Sequence, residues 1–83
     1  MKANTFSEIE HLKKILSESI HFLLYHDHIV SRHLITKLFR NNQHIHDILK
    51  KELIKTLLSI LYRDQHLHPK VYQYQLLFFT KGS

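Results

Sequence analysis

Apolar residues recur every three or four positions along most of this chain, which is the spacing of one face of a helix. The clearest first example runs from Ile9 to Leu24, and its apolar positions are Ile9, Leu12, Leu16, Ile20, Leu23 and Leu24. Thr5 and Glu8 precede this stripe with the spacing of a capping box, in which each side chain satisfies a backbone N–H of the other residue. The pattern predicts a first helix that begins at Thr5.

Two further helices are predicted in the middle of the chain. The second begins after Asp27 and ends near Arg40, and the third runs from about Gln43 to Tyr62. Asn41-Asn42 between them suits a turn. The predicted apolar face of the second helix comprises Ile29, Val30, Leu34, Leu38 and Phe39. The face of the third comprises Ile45, Ile48, Leu49, Leu53, Leu57 and Leu61, widened by Ile54 and Leu58.

Residues 70–79 allow two interpretations. Pro69 suits the first turn of a fourth helix, whose apolar face would comprise Val71, Tyr72, Leu76 and Phe79. Residues 72–76 also alternate like a strand and include β-formers, but no other segment offers a partner strand. We therefore predict an all-α fold, a small three- to four-helix bundle forming one domain over residues 1–83. Residues 70–79 are expected to be helical, and the alternative is a strand that pairs between chains or with a target.

Composition removes several classes of function. The 83 residues include one Gly, one Pro and no Cys, which excludes disulfides, thiolate metal sites and Cys nucleophiles. The scarcity of Gly argues against a Gly-rich nucleotide loop. No apolar run approaches the roughly 18 residues of a membrane span, and the N-terminus lacks the pattern of a signal peptide. We therefore expect a cytoplasmic protein without a membrane span.

Histidine is unusually common, with nine residues that include three His-x-His pairs. Two residues that are two apart on a helix point to roughly opposite sides, whereas helical metal pairs use spacings of three or four. The pairs do lie near predicted helix junctions. In an up-down-up-down bundle the first and third junctions share an end, which could gather His26, His28, His66 and His68. Metal binding is left open, and neither a metal site nor a cofactor is predicted.

Catalytic groups are not evident in the sequence. The serines lack the flanking Gly that a nucleophile elbow needs, and most of the few carboxylates stand where helix caps and first turns use them. A histidine base formed in space is not visible in a sequence. We predict a protein that is not an enzyme, has no catalytic residue and acts by binding a macromolecule.

The net charge of +5 suits nucleic acid, anionic lipid surfaces or acidic protein partners, and the alternative is simply a solvated basic surface. The basic residues of the second and third helices are Arg32, Lys37, Arg40, Lys50, Lys51 and Lys55. Two consecutive helices with a short turn could form a helix-turn-helix that places such groups on phosphates. Asp47 and Glu52 on the third helix would repel phosphate, which makes DNA binding the less favoured prediction. It is kept as an alternative, with Arg32, Lys37 and Arg40 of the second helix as the contacts.

The segment Gln75-Leu76-Leu77-Phe78-Phe79 resembles the short Gln-Leu-x-Leu-Phe peptide by which bacterial replication proteins bind the sliding clamp, with Phe78 in place of the second Leu. The resemblance implies a segment that inserts apolar side chains into a preformed pocket while Gln75 orients it. A small host- or phage-encoded regulator that binds and inhibits a DNA replication or transcription protein is a separate alternative prediction. The competing interpretation is that Leu76 and Phe79 pack in the core.

Residues 57–69, Leu-Leu-Ser-Ile-Leu-Tyr-Arg-Asp-Gln-His-Leu-His-Pro, resemble the junction between the third and fourth helices of enterocin-A-type bacteriocin immunity proteins, and the likeness extends mainly over residues 57–77. The resemblance implies a cytosolic antiparallel four-helix bundle that protects a producer cell by recognising a bacteriocin–receptor complex at the inner membrane face.

We therefore predict a protein-binding module of immunity type with a protein partner, while nucleic acid and a homodimer remain alternatives. The predicted partner contacts combine the basic surface of the third helix with polar and aromatic residues of the C-terminal segment. They are Lys50, Lys51, Lys55, Tyr72, Tyr74, Gln75, Phe78 and Phe79.

Overall fold

A computed structural model describes residues 5–79, with all of their side chains except that of Phe79. Its four α-helices are α1 (Phe6–His26), α2 (Ile29–Asn41), α3 (His46–Arg63) and α4 (His68–Phe79), with 3₁₀ turns at Gln43–Ile45 and Gln65–Leu67. Within residues 5–79 there is no strand. The prediction of a small all-α bundle is confirmed, and residues 70–79 are helical.

The start and end of α1 follow from local side-chain chemistry. The Glu8 N–H donates to Thr5 Oγ1 at 3.1 Å, and the Thr5 N–H donates to Glu8 Oε1 at 2.8 Å. The predicted capping box is therefore confirmed. At the other end Asp27 takes a left-handed conformation with φ 51°, which Asp tolerates better than most residues other than Gly.

The core is organised around α1 and α3. α2 and α3 each pack mainly against α1, and α4 packs against α3. The fully buried side chains at the centre are Leu16, Ile20, Leu23, Leu24, Ile35, Leu49, Leu53, Ile60 and Val71. The apolar face predicted for α1 is confirmed, because its members are either buried or packed against this cluster.

The apolar face predicted for α2 is largely wrong. Ile29, Val30 and Leu34 are exposed, whereas Ser31 and Ile35 face the core. Leu38 and Phe39 are partly buried as predicted. Apolar residues lie on nearly every side of this helix, so periodicity alone did not identify the side that packs on α1.

The faces predicted for α3 and α4 are only partly right. On α3, Leu49, Leu53 and Leu57 are buried as expected, but Ile60 is buried too, and three residues assigned to the core are exposed. Those three are Ile48, Ile54 and Leu58. On α4 the core takes Val71 and Tyr74, while Tyr72 and Leu76 are exposed. The buried side of α4 therefore shares Val71 with the predicted face but is rotated away from Tyr72 and Leu76.

Side-chain bonds join the α1–α2 junction to the α3–α4 junction. The Tyr25 hydroxyl donates to Asp64 Oδ2. Lys70 Nζ lies 2.9 Å from the Asp27 carboxylate and 3.3 Å from the Leu24 carbonyl oxygen. The two junctions therefore share one end of the bundle, as predicted. In the described part of the chain, however, no three His, Asp or Glu side chains come together as a metal ion would require.

Candidate protein-interaction surface

A groove lies between α3 and α4, on the side of α3 opposite to Glu52 and Thr56, which contact α1. We call it the α3–α4 groove and define it by the side chains that line it, Ile54, Leu57, Leu58, Leu61, Val71 and Gln75. Its volume is ≈ 210 Å³, below the range typical of small-molecule sites. An open hollow with aliphatic walls suits side chains of a protein partner better than an enclosed small ligand.

The groove has a buried floor and exposed walls. Leu57 and Val71 are 4% and 1% exposed, so the floor is continuous with the core. The walls remain open, because Ile54 is 41% exposed and Leu58 60% exposed. Contiguous exposed apolar surface of this kind marks interaction sites, whereas single exposed apolar residues are ordinary.

A second open hollow adjoins the groove and shares Leu58 and Leu61 with it. It is lined by Lys55 and Ser59 on α3, by the fully displayed Tyr62 at 94% exposure, and by polar residues of the α3–α4 junction. Tyr62 gives this end an aromatic ring with a polar tip, a combination enriched at protein interfaces. The apolar surface therefore continues from the groove towards the C-terminal end of α3.

The rim of the groove is basic on its α3 side. Ile54 and Lys55 lie three and four residues after Lys51, and Leu58 lies four and three residues after them, so all four share a face of the helix. Within residues 5–79 neither Lys51 nor Lys55 forms a side-chain ion pair. Their charges are therefore available to a partner.

Carboxylates near α3 are directed elsewhere. Glu52 Oε1 lies 3.9 Å from Lys13 Nζ on α1, and Asp64 accepts the Tyr25 hydroxyl. Asp47 is exposed at the start of α3, 3.9 Å from His46 Nδ1. Helix α4 contains no carboxylate. The groove consequently has basic groups at its rim and no acidic side chain in its lining.

Polar bonds fix the junction end of the groove. His68 Nε2 donates to the Leu61 carbonyl oxygen at 2.9 Å, and the His68 ring meets Tyr72 edge to face. The hydrogen bond to Asp64 raises the pKa of Tyr25 above its ordinary value, with a further contribution from desolvation. These contacts hold the ends of α1, α3 and α4 together at the α3–α4 junction.

The structure divides the predicted partner contacts between two sides of α3 and α4. Lys51, Lys55, Tyr72 and Gln75 are exposed. Gln75 lines the groove and Lys55 the adjoining hollow, Lys51 lies one turn before Lys55, and Tyr72 contacts His68 of the same hollow. The remaining described residues, Lys50, Tyr74 and Phe78, lie on the side towards α2. These two groups do not form a single surface.

Tyr74 is the clearest error among the predicted contacts. It is buried in the core, where its ring stacks on that of Phe78, so it is not an exposed contact. Phe78 is itself half-buried, and the side chain of Phe79 lies outside the described residues. Aromatic character alone could not separate these rings from the exposed Tyr72.

Sequence reasoning missed the walls of the groove because it placed Ile54 and Leu58 in the core. One signal was available: these two residues extend the apolar face of α3 well beyond the arc that one neighbouring helix covers. Tyr62 was likewise used only to mark the end of α3. An overly wide apolar face is thus the sequence feature that identifies this surface.

The outer face of α2 is a second exposed surface of different character. Arg32, Lys37 and Arg40 are all exposed, as DNA binding would require, and α2 contains no carboxylate. Exposed Ile29, Val30 and Leu34 lie among these cations, so the face is not purely basic. α2 and α3 both pack mainly against α1.

The Gln75–Phe79 segment forms the last turns of α4. Gln75 lines the groove, and Leu76 and Leu77 are exposed. The interpretation of Leu76 as a core residue is therefore wrong, whereas that of Phe79 lies outside the described side chains. The likeness of this segment to a clamp-binding peptide stays a prediction.

Comparison of the chain with protein-family models, with curated proteins and with solved structures found no match. None of the helices in the described range combines the length and the apolar character needed to cross a membrane.

Proposed function

We propose that this chain is a non-enzymatic protein-binding module whose partner docks on the α3–α4 groove. The observation that supports this function best is the continuity between a buried floor and exposed aliphatic walls at Ile54 and Leu58. A partner side chain that enters the groove would be surrounded by apolar atoms and would exclude water from them, which is the usual origin of an interface hot spot.

The specific form that we propose is a cytoplasmic immunity-type protein. Its support is the resemblance of residues 57–77 to the enterocin-A-type family together with the four-helix bundle. The same stretch supplies much of the groove, including Leu57, Leu58, Leu61 and Val71. A regulator that binds a replication or transcription protein would use the same mode of action with a different target.

The test is an affinity capture from host lysate with nuclease present, using the wild-type chain and two variants. Leu58→Glu places a charge on the groove wall. Leu34→Glu is the matched control, because it makes the same substitution at an exposed leucine of α2. We expect one dominant protein at near-stoichiometric yield with the wild type and with Leu34→Glu, and at least about a tenfold loss with Leu58→Glu.

The captured protein distinguishes the two forms of the proposal. A membrane transporter would support the immunity-type protein, and expression in bacteriocin-sensitive cells should then rescue them. A replication or transcription protein would support the regulator. Equal capture by all three chains would contradict docking on the α3–α4 groove.

A second candidate function is nucleic-acid binding through α2, favoured by three exposed cations on a helix without a carboxylate. Substituting Arg32, Lys37 and Arg40 together with Gln would remove up to three phosphate contacts. The slope of log K against log salt for duplex DNA should then fall by roughly 3. An unchanged slope, or no salt-dependent binding by the wild type, would contradict this candidate.

A further inference from the structure

We infer that the occupant of the α3–α4 groove is an amphipathic helix that carries acidic residues beside its apolar face. This inference rests on the proposed function, because it specifies the partner of the same groove. The structural basis is the combination of an aliphatic channel between two helices with lysines along one rim that form no ion pair within residues 5–79.

The shape of the groove indicates a helix rather than a strand. Its walls are side chains of two helices. Residues 5–79 contain no strand, so a partner strand would find no free backbone edge to pair with. A channel between two helices receives apolar side chains spaced at three, four and seven residues on a third helix. In that position the partner would complete the apolar environment of Ile54 and Leu58, as α1 does for the opposite side of α3.

The charge of the rim selects the charge of the partner. Lys51 and Lys55 lie one helical turn apart beside Ile54 and Leu58. Glu52 is directed to Lys13, and Asp64 accepts a hydrogen bond from Tyr25. Asp47 is the acidic residue that shares the outer side of α3, and it lies a turn beyond Lys51, away from the groove. Acidic residues flanking the partner's apolar face would meet cations, whereas basic residues would be repelled.

A flat anionic lipid surface fits these observations less well. The buried floor of the groove at Leu57 and Val71 lies below the exposed walls. Side chains projecting from a partner helix could reach this floor, whereas a planar surface would contact only the walls and the lysines. Vesicle binding is therefore a competing outcome of the test.

The experiment is a selection from a displayed library of helical peptides of about five turns. Leucine is fixed at the positions of one apolar face, and the other positions vary among Glu, Lys, Gln and Ser. The full-length chain is the bait at low salt. We expect enrichment of Glu over Lys at the positions that flank the apolar face.

Two double variants with equal changes in net charge separate the groove from the general basicity of the protein. Lys51→Glu with Lys55→Glu should reverse the preference to Lys, whereas Arg32→Glu with Lys37→Glu on α2 should leave the preference for Glu intact. For the best selected peptide, fluorescence anisotropy should show about a tenfold weaker Kd with the groove double variant. Leu58→Glu should abolish binding, and circular dichroism checks that each variant is folded.

Three results would overturn the inference. The first is that no helical peptide binds, and the second is a preference for Glu that persists in the Lys51/Lys55 variant. The third is saturable binding of the chain, without peptide, to vesicles of anionic lipid, if Leu58→Glu abolishes that binding. The capture experiment remains separate. If Leu58→Glu loses a host protein while the charge reversal changes nothing, protein binding at the groove stands and the acidic-helix inference fails.

Discussion

The α3–α4 groove and the outer face of α2 both expose leucine and lysine, yet they differ in whether buried core residues line the same surface. Leu58 of the groove stands beside the buried Leu57 and Val71, which belong to the core. Leu34 of α2 lies on the outward side of a helix whose inward side packs on α1. Similar residue types thus form a concave apolar site in one place and a basic helix surface in the other.

The surface that a helix exposes therefore depends on whether a second helix packs against it as well as on its own apolar pattern. α3 is packed by α1 and α4, and the two contacts leave a channel between α3 and α4. We expect binding at the groove to be driven by the burial of apolar surface. Any binding at α2 should be dominated by electrostatic attraction, which salt screens.

The largest expected effect is at the floor of the groove. Leu57→Ala should lower the free energy of unfolding by about 2–5 kcal/mol, because it removes buried methyl groups and leaves a cavity. Urea denaturation followed by far-UV circular dichroism measures this change. A loss below about 1 kcal/mol would show that Leu57 is not part of the core and that the groove lacks a rigid floor.

The next effect tests the bond that joins the end of α1 to the end of α3. Tyr25→Phe removes the hydroxyl that donates to Asp64 while keeping the ring, and should cost about 1 kcal/mol near neutral pH. Because the pKa of Tyr25 is raised in the folded state, this contribution is fully present below the pKa of an unfolded tyrosine.

The contribution should be lost as the pH rises through the folded-state pKa of Tyr25. Deprotonation removes the donor and places a second negative charge beside Asp64. Urea unfolding of both proteins across this range should therefore show the advantage of the wild type shrinking above about pH 10. A difference that is constant with pH would contradict the assigned hydrogen bond.

A smaller effect is expected for the ion pair at the same end of the bundle. Lys70→Met removes the charged group that contacts Asp27 and puts an uncharged side chain of similar length in its place. The cost should be about 0.2–1 kcal/mol and should decrease in high salt, because the pair is partly exposed. Unfolding measured at two salt concentrations tests this, and a cost that salt leaves unchanged would argue against a charge interaction.

The smallest effect completes the comparison on α2. Leu34→Ala should change the free energy of unfolding by no more than about 0.5 kcal/mol, because the side chain faces solvent. The same urea measurement used for Leu57→Ala provides the value. A cost similar to that of Leu57→Ala would mean that α2 turns its originally predicted face to the core.

The sequence predicted the elements of this fold far better than their orientation. The capping box at Thr5 and Glu8, the turn at Asn41-Asn42 and the helical 70–79 segment depend on residues close together in the chain. Pro69 in the first turn of α4 also agrees with local preference. Of the predicted partner contacts, Lys51, Lys55, Tyr72 and Gln75 are exposed and stay predictions, whereas Tyr74 packs inside.

The sequence by itself determined where the helices begin and end, because caps, turns and apolar periodicity act over a few residues. The tertiary structure alone decided which apolar residues face the core. Helices α2 and α3 carry more apolar residues than the interior of a small domain can enclose, so packing against α1 buried Ile35 and Ile60 and left Leu34 and Leu58 outside. The groove results from this packing, because the apolar residues of α3 that remain exposed form its walls.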